Sequence, residues 1–151
     1  METTLVIIKP DAVQRELIGP IIERFERKGL RIAGAKFIRV PRDLAEQHYA
    51  EHAGKPFYDS LLDFITSSPV MVLAIRGSRE TVPIVRKIVG ATDGAAAEPG
   101  TIRGDFGMSK TLNLIHASDS PQSAQRELAM WFNDDEIVDY DLADQRWIDP
   151  G

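Results

Sequence analysis

The stretch TLVIIKP, residues 4–10, restricts the fold of this chain more than any other. Leu5, Val6, Ile7 and Ile8 follow one another without a polar break, so neither side of the segment is suited to water. A continuous, mostly β-branched run suits a short strand covered on both faces, and Pro10 closes it because proline brings no amide to a ladder. The cover has to come from the rest of the chain, whose glycines and prolines mark out the pieces.

GPIIERFERKG (19–29) reads as a helix: Pro20 fits its first turn, Ile21, Ile22 and Phe25 make one apolar stripe, and Gly29 can end it in the left-handed conformation. LRIAGAKFIRV (30–40) alternates like a strand and Pro41 stops it. In RDLAEQHY (42–49) Asp43 stands where it can cap a helix, with Glu46 three residues on in the reciprocal position. KPFYDSLLDFIT (55–66) predicts another helix, with Phe57, Leu61, Phe64 and Ile65 on one face. SPVMVLAIRG (68–77) is the most hydrophobic strand candidate, and residues 81–90 return to helical spacing. Residues 91–111 contain Gly94, Gly100, Gly104 and Gly107 and little periodicity, so they read as a long ordered loop, of the kind that usually carries function. LNLIHAS (112–118) is a last short strand, and Ser120 and Pro121 open a final helix through Phe132. The acidic segment 133–144 interleaves Ile137, Val138, Tyr140 and Leu142 and reads as a tail docked on the body.

This order predicts an α+β chain, a ferredoxin-like βαββαβ arrangement with a four-stranded antiparallel sheet and covering helices on one face. A small flavodoxin-like parallel sheet is the alternative. With 151 residues, the expectation is one domain spanning 1–151.

Composition closes off several chemistries. There is no cysteine, so thiolate nucleophiles, disulfides and Cys-type zinc sites are absent by inventory. Eighteen Lys plus Arg against 23 Asp plus Glu give a formal net charge of −5, which disfavours a non-specific nucleic-acid surface but permits a local cationic cleft. The first apolar run is too short for a signal peptide and Glu2 precedes it, so a cytoplasmic protein without a membrane segment is expected.

What remains is an imidazole. His116 falls at the end of a predicted strand, just before a helix start. On that helix Glu127 lies between Ala124 and Trp131 at core-facing spacing, so its carboxylate points inward and needs a partner. A carboxylate on one ring nitrogen fixes the tautomer that leaves the other nitrogen free to attack. Histidine, with an ordinary pKa of about 6.5, is mostly neutral at neutral pH, whereas a lysine amine is free in only roughly one copy in a few thousand. Lys9, Arg86 and Arg103 all fall at or near strand ends or in loops that a ferredoxin-like arrangement can bring to one edge beside His116, and such a cluster binds phosphates.

Two near-motifs fail on context. GDFGMSKT (104–111) resembles a phosphate-binding loop, but Ser109 replaces its second glycine and a strand follows where a helix is required. HYAEH (48–52) has the spelling of an inverted zinc-protease motif, but Gly54 and Pro56 cut the helix short, so His48 and His52 read as exposed helix polar residues.

Four segments together, IIKPDAVQR (7–15), KPFYDSLLDFITSSPV (55–70), PGTIRGDFG (99–107) and NLIHASDS (113–120), resemble the nucleoside diphosphate kinases, in unbroken order from Thr4 to about Trp147. The resemblance implies a ferredoxin-like subunit that moves a γ-phosphoryl group from a nucleoside triphosphate to a nucleoside diphosphate by a ping-pong route. It implies that His116 is the phosphorylated residue, attacking through Nδ1, with Glu127 orienting it and Ser118 bridging to that acid. It further implies Lys9 at the γ-phosphate and ribose, Tyr49 beside the transferred group, Asn113 on the ribose, Arg86, Thr92 and Arg103 on phosphates, Phe57 stacked on the base and Leu61 at the cleft mouth. Mg2+ on the phosphates and a homo-oligomer, a hexamer before a tetramer, complete the implication; no obligatory nucleic acid partner is expected. Ala12 and Ala117 stand where the family more often has glycine, and ATDGAAAEPG (91–100) departs from its usual pattern. The competing reading is a ferredoxin-like binding module without catalysis, which has no use for Lys9, Tyr49, Arg86, Arg103, Asn113, His116 and Glu127 together.

Overall fold

The computed structural model describes residues 1–151. The run that opens the chain becomes β1 (Glu2–Ile8), placed inside a four-stranded sheet with β2 (Arg31–Ile38), β3 (Val70–Gly77) and β4 (Ile115–Ala117) in the order β2-β3-β1-β4. Every pairing is antiparallel. The parallel alternative is thereby excluded. The register sets Leu5 opposite Ala74 and Ile7 opposite His116, which fixes the imidazole on the inner strand's neighbour.

β1 is buried on both sides, as its sequence requires. Val6 and Ile8 point into one core with Phe25, Ile75 and Val85, while Leu5 and Ile7 point into a second with Leu62, Ile65, Val72 and Trp131. The first core is roofed by α2 (Ile18–Lys28) and α5 (Thr81–Val89); the second by α3 (Arg42–His48), α4 (Tyr58–Thr66) and α7 (Pro121–Trp131). Helices therefore cover both faces of the sheet, which corrects the expectation of one covered face. The same alternation of β1 residues between two apolar clusters is the physical reason. No helix is long and apolar enough to cross a membrane.

Local chemistry accounts for most of the boundaries. Gly29 takes φ 95° to end α2. Ser120 Oγ accepts the amide of Ser123 at 3.0 Å and Pro121 occupies the first turn of α7. Asp43 does not cap α3: extended Pro41 sets the helix start at Arg42, so Asp43 falls inside the first turn. The reciprocal box forms instead at Asn133 and Glu136. α4 begins only after Phe57, so its buried stripe is Leu62 and Ile65, with Tyr58 packed against it; Phe57 and Leu61 lie to one side of that stripe.

Several short helices carry no clear sequence signal, among them two that border the site. α1 (Pro10–Gln14) follows β1 directly, and α6 (Ile102–Phe106) lies inside the segment expected to be loop. Thr101 caps α6 by accepting the amide of Gly104 at 2.9 Å. Gly104 is there because any β-carbon would run into the Glu98 carbonyl, so its glycine marks a close approach and not a break. The chain ends with α8 (Gln145–Ile148). Before it, the tail docks as expected: the Val138 amide donates to Ala33 O at 2.8 Å and Tyr140 Oη to Ile32 O at 2.8 Å, at the bulge of the edge strand β2.

Candidate active site

His116 sits in the middle of the three-residue strand β4, its ring partly open to a cleft of about 240 Å³ lined also by His48, Tyr49, Glu51, His52, Arg86 and Glu127. Glu127 reaches it from α7, because the spacing that buries Ala124 and Trp131 buries Glu127 between them. His116 Nε2 bonds Glu127 Oε1 at 2.8 Å, and Ser118 Oγ donates to the same oxygen at 2.8 Å. Burial alone would favour the neutral acid, yet the hydrogen bonds and charge from His116 and the bond from Ser118 outweigh it and hold the carboxyl below its ordinary range. An ionised acceptor on Nε2 requires the proton there and leaves the Nδ1 lone pair free.

The cations converge as the sequence led one to expect. Arg86 donates to Ala117 O at 3.2 Å and Arg103 to Ile115 O at 2.6 Å, so two guanidiniums hold the carbonyls on either side of the imidazole. Arg103 is nearly buried and also donates to Gly90 O and Asn113 O, both at 3.1 Å. It reaches them from the first turn of α6, not from a loop. Burial and then the charge of Arg86 push Arg103 down to about 10, so it stays cationic at neutral pH. Lys9 Nζ donates to Asn113 Oδ1 at 2.9 Å, and burial with Arg103 beside it pushes Lys9 down to about 8. Asn113 Nδ2 turns to the carbonyls of Thr92 and Lys110 at 3.3 and 3.1 Å, which ties Thr92 into the same wall.

Tyr49 follows α3, and burial with Glu127 nearby pushes its phenol up to about 12, keeping it a donor. From there a file of rings leads outward: Tyr49 to His52 at 6.3 Å, then His52 to Phe57 at 5.4 Å. Phe57 is 48% exposed at the rim, with the Lys55 ammonium 5.8 Å over its ring and Leu61 half-buried one turn further along α4.

His48 overturns its expectation. It is buried, not exposed; its ring stands edge-on to that of His116 with centroids 4.7 Å apart, and its Nδ1 accepts the indole N–H of Trp131 at 3.1 Å. The signal was available: Ala45 and His48 are three apart on the buried side of α3, and that spacing outranks the motif spelling. Burial and the neighbouring His116 push His48 down to about 3, so it is neutral. His48, His116 and Glu127 offer ligand atoms within 4.8 Å of one another. They make a poor metal centre, since Glu127 Oε1 already accepts two bonds and Trp131 forces the His48 proton onto Nε2. A larger groove, lined by Lys28, Arg79, Lys87 and Asp149, lies at the other end of β1 and contains no imidazole.

An imidazole bonded to a buried acid, with Arg86 in its cleft and Arg103 and Lys9 tied to the same strand end, on a ferredoxin-like sheet, defines a site of the phosphoryl-transfer class. The chain belongs to the nucleoside diphosphate kinase family, whose model matches residues 2–137. It is 54% identical over 148 residues to a nucleoside diphosphate kinase of Staphylococcus epidermidis, covering 98% of this chain and 99% of that one. It is 53% identical over 148 residues to one of Archaeoglobus fulgidus, covering 98% and 97%. Among solved structures, a halophilic nucleoside diphosphate kinase from Halobacterium salinarum in complex with CDP superposes with TM-score 0.94 at 49% identity over 97% of each chain. A nucleoside diphosphate kinase family protein from Babesia bovis does so with TM-score 0.94 at 45% identity, over 98% of this chain and 99% of that one. The protein thus transfers phosphoryl groups between nucleoside di- and triphosphates.

Proposed function

We propose that residues 1–151 act as one catalytic domain in which His116 carries the phosphoryl group between two nucleotides. Its Nδ1 attacks the γ-phosphorus, an N–P bond forms as the bond to the β-phosphate oxygen breaks, and the diphosphate leaves. A second diphosphate then takes the group back by the reverse displacement. The observation that carries this reading is the Glu127–Nε2 bond, which sets the tautomer with Nδ1 unprotonated.

The transition state spreads charge over three equatorial oxygens, and positioned donors stabilise it. Arg86, Arg103 and Lys9 supply them, with the Thr92 hydroxyl and the Tyr49 phenol as neutral donors. Ser118 keeps Glu127 in place, and Asn113 with Lys9 meets the ribose. Phe57 stacks on the base through its exposed face, and Leu61 borders it. A ring face carries no hydrogen-bond code, so purines and pyrimidines are both accepted.

Mg2+ fits this site as a passenger on the phosphates: the cleft offers the hard carboxylates Glu51 and Asp119 to its waters, in the manner usual for this ion. When bound it neutralises phosphate charge. The family resemblance also supports a cytoplasmic homo-oligomer, a hexamer ahead of a tetramer, which light scattering after size exclusion measures directly.

Incubation with γ-labelled ATP and Mg2+ tests the carrier. Acid-labile, base-stable label on the wild type and none on His116→Ala is the expected result. Label that persists in His116→Ala overturns it.

A further inference from the structure

Asp11 lies in the first turn of α1, two residues after Lys9, and no role proposed above uses it. One carboxylate oxygen, Oδ2, accepts the main-chain amide of Leu114 at 3.0 Å. The other, Oδ1, is buried with no hydrogen-bond partner at all. Leu114 is one of two non-glycine residues with positive φ, at 74°, and its side chain is fully buried. A leucine held left-handed in a core persists only where its surroundings over-determine it. Here they do: the Leu114 amide is held by Asp11, its carbonyl accepts the Lys9 amide at 2.8 Å, and Arg103 holds the carbonyls of Asn113 and Ile115 on either side. That twist sends Asn113 toward Lys9 Nζ and delivers His116 two residues later.

We propose that Asp11 is a positioning residue for phosphoryl transfer, which fastens the Leu114 twist through Oδ2 and, with Oδ1 left unbonded, keeps a negative charge beside Lys9 so that its ammonium stays charged. This rests on the reading of Lys9 as a phosphate contact. A buried carboxylate oxygen without a partner is costly, and a neighbouring ammonium offsets that cost.

The groups facing Lys9 are few. Arg103 from α6 opposes its charge and Asp11 from α1 supports it; Asn113 accepts its hydrogen bond, and the charge of Lys9 is felt by the buried, neutral His48 of α3. Lys9 loses its proton as pH rises through about 8, so phosphate affinity should fall on that limb. Removing the Asp11 charge moves the limb to lower pH, because that charge raises the Lys9 pKa against burial and Arg103.

The test is the pH dependence of kcat/KM between pH 6 and 10 for wild type, Asp11→Asn and Lys9→Gln. Asparagine keeps an acceptor for Leu114 and deletes only the charge. A limb near pH 8 in wild type, displaced to lower pH in Asp11→Asn and absent in Lys9→Gln, is the expected set. If the limb vanishes in Lys9→Gln yet is unmoved in Asp11→Asn, the role of Asp11 is overturned while that of Lys9 stands. If the limb survives in Lys9→Gln, the reading of Lys9 itself fails. A measurement on folded wild type is independent of the variants: the 13C carboxyl resonance of Asp11 should show an inflection near pH 8 that Lys9→Gln removes, and a flat trace overturns the proposal.

Discussion

At the scale of single residues, the site is a set of donors whose freedom has been removed before substrate arrives. Glu127 accepts from His116 and Ser118 through one oxygen, so it fixes a tautomer and a ring orientation together. Glu127→Gln keeps the shape and an acceptor but deletes the charge, weakening a charge-assisted hydrogen bond typically worth about 1.5–3 kcal/mol. If that loss falls on the reacting geometry, phosphorylation of His116 slows by roughly ten- to a hundredfold in a folded protein. Rapid-quench measurement of the first half-reaction checks this, and an unchanged rate would reduce Glu127 to a packing neighbour. His48 is the residue whose role the sequence hid. Its motif spelling drew attention to metal, whereas its place on the buried stripe of α3 put it against Trp131 and His116.

At the scale of elements, strands and long helices were legible because each announces itself twice, by periodicity and by its terminators. β1 is a clean case, with its unbroken apolar run and Pro10 behind it. α6 failed both signals. It has five residues, too few for a stripe, and its glycine is there to let the Glu98 carbonyl pass. Capping at Asp43 failed for a different reason, since proline geometry one residue ahead of the helix decided the start. Gly104→Ala tests the close approach directly. The added methyl has nowhere to go without moving backbone, so a loss of about 1–3 kcal/mol in urea unfolding is expected, with nucleotide affinity falling too because Arg103 shares the helix. Gly19→Ala, inside α2 where a β-carbon meets open space, is the control and should hold the transition or raise it by up to about 1 kcal/mol.

At the scale of the whole molecule, two cores on opposite sides of one sheet were half-written in β1, whose consecutive residues belong alternately to each. What the sequence could not say is how the second core closes, because that depends on α7 returning across β1 from the far end of the chain. Trp131 is the keystone of that return, and its indole ties it to a histidine that burial holds down to about 3 from an ordinary 6.5. Between those values the unfolded chain binds a proton that the folded chain refuses. Stability is therefore full above pH 6.5 and declines as pH falls toward 3, by at most about 1.4 kcal/mol per unit. His48→Gln, which can still accept from Trp131, should flatten the decline between about pH 6.5 and 5, above the ordinary carboxylate range. Superimposable denaturation midpoints for the two proteins across that window would exclude His48 as the cause.

Arg103 spreads one guanidinium over the carbonyls of Gly90, Asn113 and Ile115, while Arg86 makes a single such bond, to Ala117. Scaffold and chemistry are thus welded at one position and separable at the other. A lysine at 103 offers one nitrogen where three oxygens sit apart, so retuning the proposed phosphate contacts by design has to begin at 86, where a changed charge can be explored without unstitching the chain around His116.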